Sequence, residues 1–359
     1  MTYLRNIWYV AAWADQVPAG EKLVRRILNE GLLLFRDAEG RAVALRDRCP
    51  HRYAPLHLGK LNDGVIECGY HGLQFNAQGA CIFNPHGDGV IPPLAKVESY
   101  PVEERHDALW IWMGDKDLAD PALIPDFSSV INDGNTVVRH YLNPQANYEL
   151  MIDNLLDLGH TAFLHPDSLG SEAIIQSTRR TRIEGDTIVD ELWAPDGDAP
   201  PMAQFLFEKF SGVKIDHWLQ STWIAPSLIR GIAGYAPAGR DRADSETLPG
   251  LHWLTPETDT TCHYFAALGR NFRREDAQLD AIIDAGVMKA FGQEDMPMVA
   301  AIQGELAGVE AERLHPLVLS SDKAGIMARG MLRKLIKKER AEPAEEPTGD
   351  APDLAMVGG

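Results

Sequence analysis

Residues 49–71 read CPHRYAPLHLGKLNDGVIECGYH, and they are the most informative segment for the fold of the N-terminal part of the chain. It begins with Cys49-Pro50-His51 and ends with Cys68-Gly69-Tyr70-His71, and 16 residues separate these two motifs. Each motif joins a soft thiolate to an imidazole. Pro and Gly residues in and after the motifs favour loops. The sequence therefore predicts two short loops that each present one Cys and one His to a shared metal site.

The ligand order Cys, His, Cys, His is typical of a [2Fe–2S] cluster of Rieske type, with two thiolates on one iron and two imidazoles on the other. Because neutral imidazoles replace two anionic thiolates, such a cluster accepts an electron more readily. The alternative is a structural zinc ion held by the same four side chains. Zinc sites usually pair like ligands, and a Cys-x-His loop is tight for one tetrahedral ion, so the spacing favours iron–sulfur.

The length and the net charge of the chain limit its number of domains and its possible partners. At 359 residues it is long enough for about two domains. The net charge of 34 − 52 = −18 argues against nucleic acid or an anionic membrane as a partner. The start, MTYLRNIWYVAAW, carries no secretion-signal pattern, and no stretch reaches the roughly 18 apolar residues of a membrane span. We therefore expect a cytoplasmic protein that binds neither nucleic acid nor membrane.

Strand and turn patterns surround the two motifs. Residues 32–45 and 73–83 each read as two short strands around a turn, and residues 108–113 read as a buried strand. Residues 114–126 are rich in Gly, Pro and Asp, which is typical of a domain junction. Residues 341–359 are rich in Pro, Glu and Gly, so we expect this tail to be disordered.

A second set of polar residues lies in residues 147–165, NYELMIDNLLDLGHTAFLH. Apolar side chains cover most of the predicted helix, yet it also carries Asp153, Asp157, His160 and His165. Buried carboxylates are usually paired or bound to a metal. The two histidines are five residues apart, about 140° on a regular helix, so one ion requires a π-type widening or a helix end between them. Hydrogen-bonded core histidines are the alternative.

Two histidines and one carboxylate form the ligand set of non-haem Fe(II) oxygenases, which leaves iron positions open for O2 and water. The carboxylate must come from elsewhere in the chain. We predict Asp295, in FGQEDMPMVAAIQ, because Val299 and Ile302 follow it at helical spacing and are expected to turn that face inward. Glu294 is the neighbouring alternative.

The chain resembles the oxygenase component of the Rieske non-haem iron oxygenases, and in particular the branch that includes vanillate and dicamba O-demethylases. The similarity runs from RNIWYVAAW through CPHRYAPL, CGYHGLQF and NPHG to DNLLDLGHTAFLH and LTPETDTTCHYF. The resemblance implies that the cluster is held by Cys49, His51, Cys68 and His71. It likewise implies that the mononuclear Fe(II) is held by His160, His165 and Asp295.

Asp157 matches the family's carboxylate that links a cluster histidine of one subunit to an iron-ligating histidine of its neighbour. Because Asp157 lies one turn before His160, we expect a carboxylate oxygen to reach the free N–H of that imidazole. Electrons would cross the subunit boundary by this route.

The resemblance also implies the fold and the assembly. The fold class is α+β, with an N-terminal Rieske β-sandwich domain over residues 1–117. A helix-grip (START-like) catalytic domain with an antiparallel sheet follows over residues 118–340, and the disordered tail spans residues 341–359. Three copies would form a head-to-tail homotrimer. A separate ferredoxin or flavin reductase would supply electrons, since the chain lacks a G-x-G-x-x-G nicotinamide motif.

The implied activity is that of a Rieske-type monooxygenase that uses O2 to hydroxylate or O-demethylate a small carboxylated or phenolic aromatic compound. The alternative is hydroxylation or N-demethylation of a different skeleton, such as a terpenoid, a steroid or a heterocycle. A third reading is an electron carrier or a zinc-stabilised binding module without catalysis. Iron content separates these classes: three irons for a catalytic subunit, two for a carrier and none for a zinc module.

Three further residues are candidates around the iron. His252 lies in a predicted strand, LHWL, where a cationic or hydrogen-bonding imidazole would anchor a carboxylate or phenol; a hydrogen-bonded core histidine is the alternative. Arg230, in the apolar strand SLIRGI, suits carboxylate recognition, although strand ends also carry exposed Arg. Asn154 would point near the iron on a regular helix, and we predict that it bonds to a ligand or to water.

Overall fold

The computed structural model describes residues 3–242, 245–309 and 316–341. Its strands, in chain order, are β1 (Trp8–Trp13), β2 (Leu23–Ile27), β3 (Glu30–Arg36), β4 (Ala42–Arg46), β5 (Lys60–Asn62), β6 (Val65–Glu67), β7 (Gln74–Phe75), β8 (Cys81–Phe83), β9 (Ser99–Tyr100), β10 (Val102–Arg105), β11 (Ala108–Trp112), β12 (Thr136–Leu142), β13 (Thr178–Glu184), β14 (Thr187–Asp198), β15 (Lys214–Ile224), β16 (Leu228–Pro237), β17 (Glu246–Pro256) and β18 (Cys262–Arg270). Its α-helices are α1 (Tyr148–Leu156), α2 (Thr161–Leu164), α3 (Glu172–Ile175), α4 (Pro201–Leu206), α5 (Ala277–Val287), α6 (Met296–Leu306) and α7 (Lys323–Ala341).

The N-terminal strands form three small antiparallel sheets, with the orders β1-β11-β10, β2-β3-β4-β9 and β5-β6-β7-β8. Both predicted hairpins are present: β3 pairs with β4, and β7 pairs with β8. The predicted buried strand is β11, the centre of its sheet, with every residue buried. The two Cys/His loops connect β4 to β5 and β6 to β7.

The C-terminal strands form one seven-stranded antiparallel sheet, in the order β12-β18-β17-β16-β15-β14-β13. Helix α1 packs against this sheet and against α6 and α7, in one apolar core that includes Met151, Trp223, Val299 and Leu332. The predicted α+β fold, with β-rich N-terminal sheets followed by a helix-packed antiparallel sheet, is confirmed.

Helix α1 is shorter than the segment predicted from the sequence. The side chain of Asn147 accepts a hydrogen bond from the backbone N–H of Glu149 (2.8 Å) and so caps its start. The helix ends at Leu156, because Asp157 leaves the helical region (φ −86°, ψ 83°) and its carboxylate accepts from the N–H of Gly159 (3.1 Å). A 3-10 turn that ends at His160 and the short helix α2 follow, so His165 lies just past the end of α2, and no π-type widening lies between the two histidines.

A π-helix, Met288–Asp295, joins α5 to α6. Its turns are wider than those of an α-helix, and such segments are frequent at functional sites. Beyond it, Val299 is buried as predicted, but Ile302 is 43% exposed, so its predicted inward orientation is wrong. The reason is that α6 contacts the core through only a narrow part of its surface: Val299 is the one buried residue of this helix.

The predicted domain boundary at residues 117/118 falls within a 3-10 turn, Lys116–Leu118, and it remains a prediction. Of the predicted tail, residues 342–359 lie outside the described residues, and Ala341 ends α7. Within the described ranges, every helix is too short or too polar to cross a membrane.

Candidate active site

The two Cys/His loops have the same backbone hydrogen bonds. In the first, the N–H of Cys49 donates to the carbonyl of Ala54, and the N–H of Tyr53 donates to the carbonyl of Cys49 (both 2.9 Å). The second loop, residues 68–73, repeats both bonds at 2.8 and 2.9 Å. The fifth residue of each loop is left-handed: Tyr53 has φ 58° and Gly72 has φ 71°.

These loops place the thiols inside and the imidazoles outside. Cys49 and Cys68 are buried, whereas His51 is exposed and His71 is half-buried. The two imidazole centroids are 4.5 Å apart. Burial raises the pKa of the Cys49 thiol to about 11, although the N–H groups of His51 and Arg52 act in the opposite direction. Backbone N–H groups directed at a buried sulfur fit a thiolate that binds a cation.

The spacing of these four ligands fits a cluster better than one ion. In the part of the chain that the structure describes, one group of three or more metal-binding side chains has all its ligand atoms within 4.8 Å of one another, and it lies elsewhere. A single tetrahedral zinc needs such convergence. A two-iron cluster does not, because its thiolates and imidazoles bind different irons.

The convergent group is His160, His165 and Asp295. The Nε2 atoms of the two imidazoles are 3.2 Å apart. Oδ1 of Asp295 lies 3.3 Å from Nε2 of His160 and 3.2 Å from Nε2 of His165. The structure thus brings together the three side chains that the sequence singles out, on the 3-10 turn, at the end of α2 and on the π-helix.

The second nitrogen of each imidazole also has a partner. Nδ1 of His165 lies 2.7 Å from Oε2 of Glu294, and Nδ1 of His160 contacts the backbone carbonyl of Asp157. When each Nδ1 donates a proton, the Nε2 lone pairs face each other and Asp295, which is the arrangement of metal-binding histidines. Glu294, the alternative carboxylate, therefore contacts His165 from the other side of the ring.

The charges at this site fit a cation. Burial alone would raise the pKa of Asp295, but contacts with His160 and His165 outweigh it and lower the pKa to about 2. Burial would lower the pKa of His165, but Asp295 and Glu294 outweigh it and raise that pKa. Asn154 lies beside the group as predicted, and its Nδ2 donates to Oδ1 of Asp295 (3.0 Å).

Two buried oxygens at this site, Oδ2 of Asp295 and Oδ1 of Asn154, have no hydrogen-bond partner among the described residues. Buried polar atoms are normally satisfied, so such exceptions require an explanation such as a missing ion or water. The residues present therefore fit a bound divalent metal.

One expectation about Asp157 is wrong within the subunit. Its carboxylate Oδ1 accepts from the N–H of Gly159 and from Nη1 of Arg179 (both 3.1 Å), and it does not bond to His160. Because the chain turns out of the helix at Asp157, the backbone carbonyl faces the imidazole instead. The carboxylate is 32% exposed, and it lies at the surface.

A cavity of about 140 Å³ adjoins His160 and His165. Most of its lining is apolar, and it includes Leu155, Leu158, Leu169, Met202, Leu219, Ile232, Ala233, Leu248, Leu268, Val287, Ala290 and Phe291. Leu169 and Met202 come from the stretch between α2 and β15, whose sequence carries no metal-site signal.

His252 lines the cavity, as predicted, but it is not cationic. Its Nδ1 lies 2.7 Å from the hydroxyl of Tyr264, and burial lowers its pKa to about 4. The imidazole is therefore neutral at pH 7, and hydrogen bonding is the predicted role that remains.

Arg230 is not part of the cavity lining, and its role in carboxylate recognition stays a prediction that this position does not support. Its Nη2 donates to the backbone carbonyl of Asp126 (3.2 Å), and its guanidinium lies 5.8 Å from the ring centroid of Phe127. The part of β16 that lines the cavity begins at the next residue, Gly231, and continues through Ile232, Ala233 and Tyr235.

The contact of Glu294 with the far side of His165 is not predictable from the sequence pattern. That contact depends on the π-helix, which places adjacent residues 294 and 295 at the same imidazole. No residue in MKAFGQED marks such a turn.

Comparison with known proteins supports the same reading. Residues 7–101 match the Rieske [2Fe-2S] domain, and residues 144–338 match the vanillate O-demethylase oxygenase C-terminal domain. The oxygenase component of chloroacetanilide N-alkylformylase from Rhizorhabdus wittichii is 41% identical, over 94% of this chain and 97% of the relative. The oxygenase component of dicamba O-demethylase from Stenotrophomonas maltophilia is 38% identical, over 95% of this chain and 100% of the relative.

The three-dimensional similarity extends over the same range. The crystal structure of dicamba monooxygenase bound to 3,6-dichlorosalicylic acid has a TM-score of 0.90 with this chain, at 37% identity, and covers 95% of this chain and 100% of the other. With matching domain families, near-complete coverage and this shared fold, the chain belongs to the Rieske non-haem iron oxygenases, as an oxygenase component of the branch that contains the dicamba and vanillate O-demethylases.

Proposed function

We propose that this protein hydroxylates or O-demethylates a small aromatic compound, with O2 as co-substrate and electrons from a separate reductase. The observation that carries the proposal is the convergence of His160, His165 and Asp295 at the end of an apolar cavity. Relatives named for dicamba and chloroacetanilide support an aromatic substrate.

The cofactors are one Rieske [2Fe–2S] cluster and one mononuclear iron per chain. In our proposal Cys49, His51, Cys68 and His71 hold the cluster, and His160, His165 and Asp295 hold the iron. An iron ion bound there supplies the activation of O2 and the oxidation of a substrate C–H bond.

The surrounding residues bind and orient. Glu294 accepts from Nδ1 of His165 and so fixes which nitrogen faces the metal, and Asn154 holds the carboxylate of Asp295 in place. Apolar cavity walls exclude water from the reacting methyl group, and His252 offers a hydrogen bond to the substrate.

For an aryl methyl ether, the balance is ArOCH3 + O2 + 2 electrons + 2 H⁺ → ArOH + HCHO + H2O. Hydroxylation of the methyl carbon gives a hemiacetal, whose C–O bond to the ring oxygen then breaks. One oxygen atom of O2 leaves in formaldehyde and the other leaves as water.

The partners are a ferredoxin or flavin reductase and two further copies of this chain. The description of both close relatives as oxygenase components supports a separate reductase. In the proposed homotrimer, the partly exposed carboxylate of Asp157 would meet a cluster histidine of the neighbouring subunit. The cytoplasmic location remains a prediction from the sequence.

Metal analysis and product analysis test this function together. Anaerobically purified protein is expected to contain three irons and two acid-labile sulfides per chain, and to release formaldehyde from an aryl methyl ether when a reductase and NADH are supplied. Cys49→Ser should lose the sulfide, whereas Cys81→Ser, which alters a half-buried cysteine outside the predicted ligand set, should retain it. Zinc without sulfide, or a full complement of iron without oxidation of any aromatic compound, would refute the proposal.

A further inference from the structure

We propose that the cavity selects an uncharged single-ring aromatic compound that carries a hydrogen-bond acceptor, and that it rejects aromatic carboxylates. This inference rests on the proposed function and names its substrate class.

The charge of the lining carries the first step. None of the described residues that line the cavity is Lys, Arg, Asp or Glu. The two cationic anchors expected from the sequence are both absent: Arg230 lies outside the lining, and the imidazole of His252 is neutral at pH 7. A carboxylate that leaves water without a cationic partner is strongly disfavoured.

The metal end does not supply the missing positive charge. Two acidic side chains, Asp295 and Glu294, contact the histidines there. The ammonium of Lys289 lies 3.7 Å from Oε1 of Glu294, but its side chain is 44% exposed, so water screens it. The side chains at this end of the cavity thus add no cationic partner for an anionic substrate.

The cavity has room for about one ring. The volume of about 140 Å³ is close to that of an apolar protein cavity of about 150 Å³ that binds benzene. Part of this space exists because Gly231, Gly250 and Gly286 line the cavity without side chains.

The proton on His252 can be located from its neighbour. The hydroxyl of Tyr264 is fully buried, and its one hydrogen-bond partner among the described residues is Nδ1 of His252. If the hydroxyl is to be satisfied as a donor, it donates to Nδ1, and the neutral imidazole then carries its proton on Nε2. Tyr264 thus sets which nitrogen of His252 is the donor.

That donor faces a space that a substrate oxygen can fill. A Cβ added to Gly231 would lie 3.5 Å from Nε2 of His252, which is ordinary van der Waals contact. The acceptor of the substrate therefore fits beside Gly231. Amide carbonyl and ether oxygens are uncharged acceptors of this kind.

Direct binding tests the charge selection. The metal-loaded protein, kept anaerobic, is titrated in a calorimeter with 2-methoxybenzamide and 2-methoxybenzoate, and again with the 4-methoxy pair, at pH 7.5. Both members of each pair share the ring and the methoxy group and differ in charge. Each amide is expected to bind at least 10-fold more tightly than its carboxylate. Equal or tighter binding of the carboxylates, or no binding of either amide, would overturn the inference.

Variants test the hydrogen bond to His252. His252→Leu should weaken amide binding about 10-fold, and His252→Gln, which keeps an N–H donor, should restore most of it. Gly231→Ala should weaken binding by a similar factor, because its methyl group occupies the acceptor space without a clash. The matched control is Gly304→Ala, at an open position of α6 outside the cavity, which should bind as the parent does. Unchanged binding in both His252→Leu and Gly231→Ala would contradict this step.

Formaldehyde release, measured in parallel, separates this inference from the proposed function. Higher kcat/KM for the carboxylates would overturn the inference and leave the oxygenase function intact. Tight amide binding without oxidation of any aromatic compound would support the charge selection and count against the oxygenase function.

Discussion

At the scale of single residues, the centre depends on side chains that hold other side chains. His165 is contacted on one nitrogen by Asp295 and on the other by Glu294. A carboxylate that accepts from the second nitrogen of a ligating histidine fixes the ring and makes it a better ligand. Adjacent carboxylates thus have different roles, which spacing alone does not distinguish.

Glu294→Gln should lower iron affinity by about 10- to 100-fold, because the amide accepts a weaker hydrogen bond from His165. Iron retained after dialysis against a chelator measures this loss, with acid-labile sulfide as the internal reference. Glu305→Gln, on the exposed surface of α6, is the matched control. If both variants retain iron equally, Glu294 does not support the site.

The buried imidazole of His217 is expected to make the stability of the protein depend on pH. Its imidazole is buried, stacks on Tyr235 at 4.9 Å, and neither nitrogen has a partner among the described residues. Burial lowers its pKa to about 4. The pKa of this histidine in the unfolded chain is about 6.5. At pH values between about 6.5 and the folded-state pKa, only the unfolded chain takes up the proton. The free energy of unfolding therefore decreases as the pH drops, by at most about 3 kcal/mol.

His217→Phe removes this proton and keeps the ring stacked on Tyr235. The variant should therefore lose less stability than the parent between pH 7.5 and pH 5. Denaturant unfolding at both pH values gives the comparison, and the pH 7.5 values serve as the reference. Parallel losses in the two proteins would show that another group dominates.

At the scale of helices and strands, features that depend on neighbouring residues can be predicted from the sequence, whereas features that depend on distant contacts cannot. The hairpins, β11 and both Cys/His loops follow from turn residues and ligand spacing within a few positions of one another. The π-helix and the packing of Arg230 against residues 126 and 127 depend on how distant segments pack, so they leave no local signal. The same holds for the neutral state of His252, which burial by distant segments determines.

The pairing of α1 with α7 has a specific polar link. Nε of Arg329 on α7 lies 2.9 Å from both carboxylate oxygens of Asp153, and its Nη1 lies 3.2 Å from Oε2 of Glu149. Asp153, one of the acidic residues in the largely apolar segment 147–165, is thus paired with Arg329 and is not part of the metal-binding group.

Arg329→Met should lower the free energy of unfolding by about 1–2 kcal/mol, between the values for exposed and buried pairs, because two carboxylates lose their partner in a partly buried setting. Chemical denaturation measures the change. Arg333→Met, an exposed position of the same helix, should change it by less than about 0.5 kcal/mol. Similar losses in both variants would indicate that charge on α7, rather than this contact, matters.

At the scale of the whole molecule, the cluster loops lie at a surface with unusual apolar exposure. Tyr53, Leu58, Tyr70 and Leu94 are 62–89% exposed near the loops. Exposed apolar patches often mark interaction sites. Together with the surface carboxylate of Asp157, they support the proposed contact between subunits.

Asp157→Asn tests the inter-subunit route with little effect on the metal site. The backbone carbonyl that contacts His160 is unchanged, and the amide oxygen still accepts from the N–H of Gly159. Iron and sulfide content should therefore stay near the parent values, while coupled turnover falls by at least about 100-fold. Rapid reduction of the cluster by dithionite, with normal turnover, would remove Asp157 from the electron path.

The two loops that hold the predicted cluster ligands are alike in shape but differ in the substitutions they can accept. A side chain in the left-handed conformation costs about 1 kcal/mol, so Tyr53→Gly would relieve a cost that the first loop now carries. The reverse exchange is less favourable, because a Cβ at Gly72 would lie 3.2 Å from Cγ of Pro85 in the same left-handed conformation. The first loop thus accommodates a side chain at its fifth position, whereas in the second loop a side chain would have to displace Pro85.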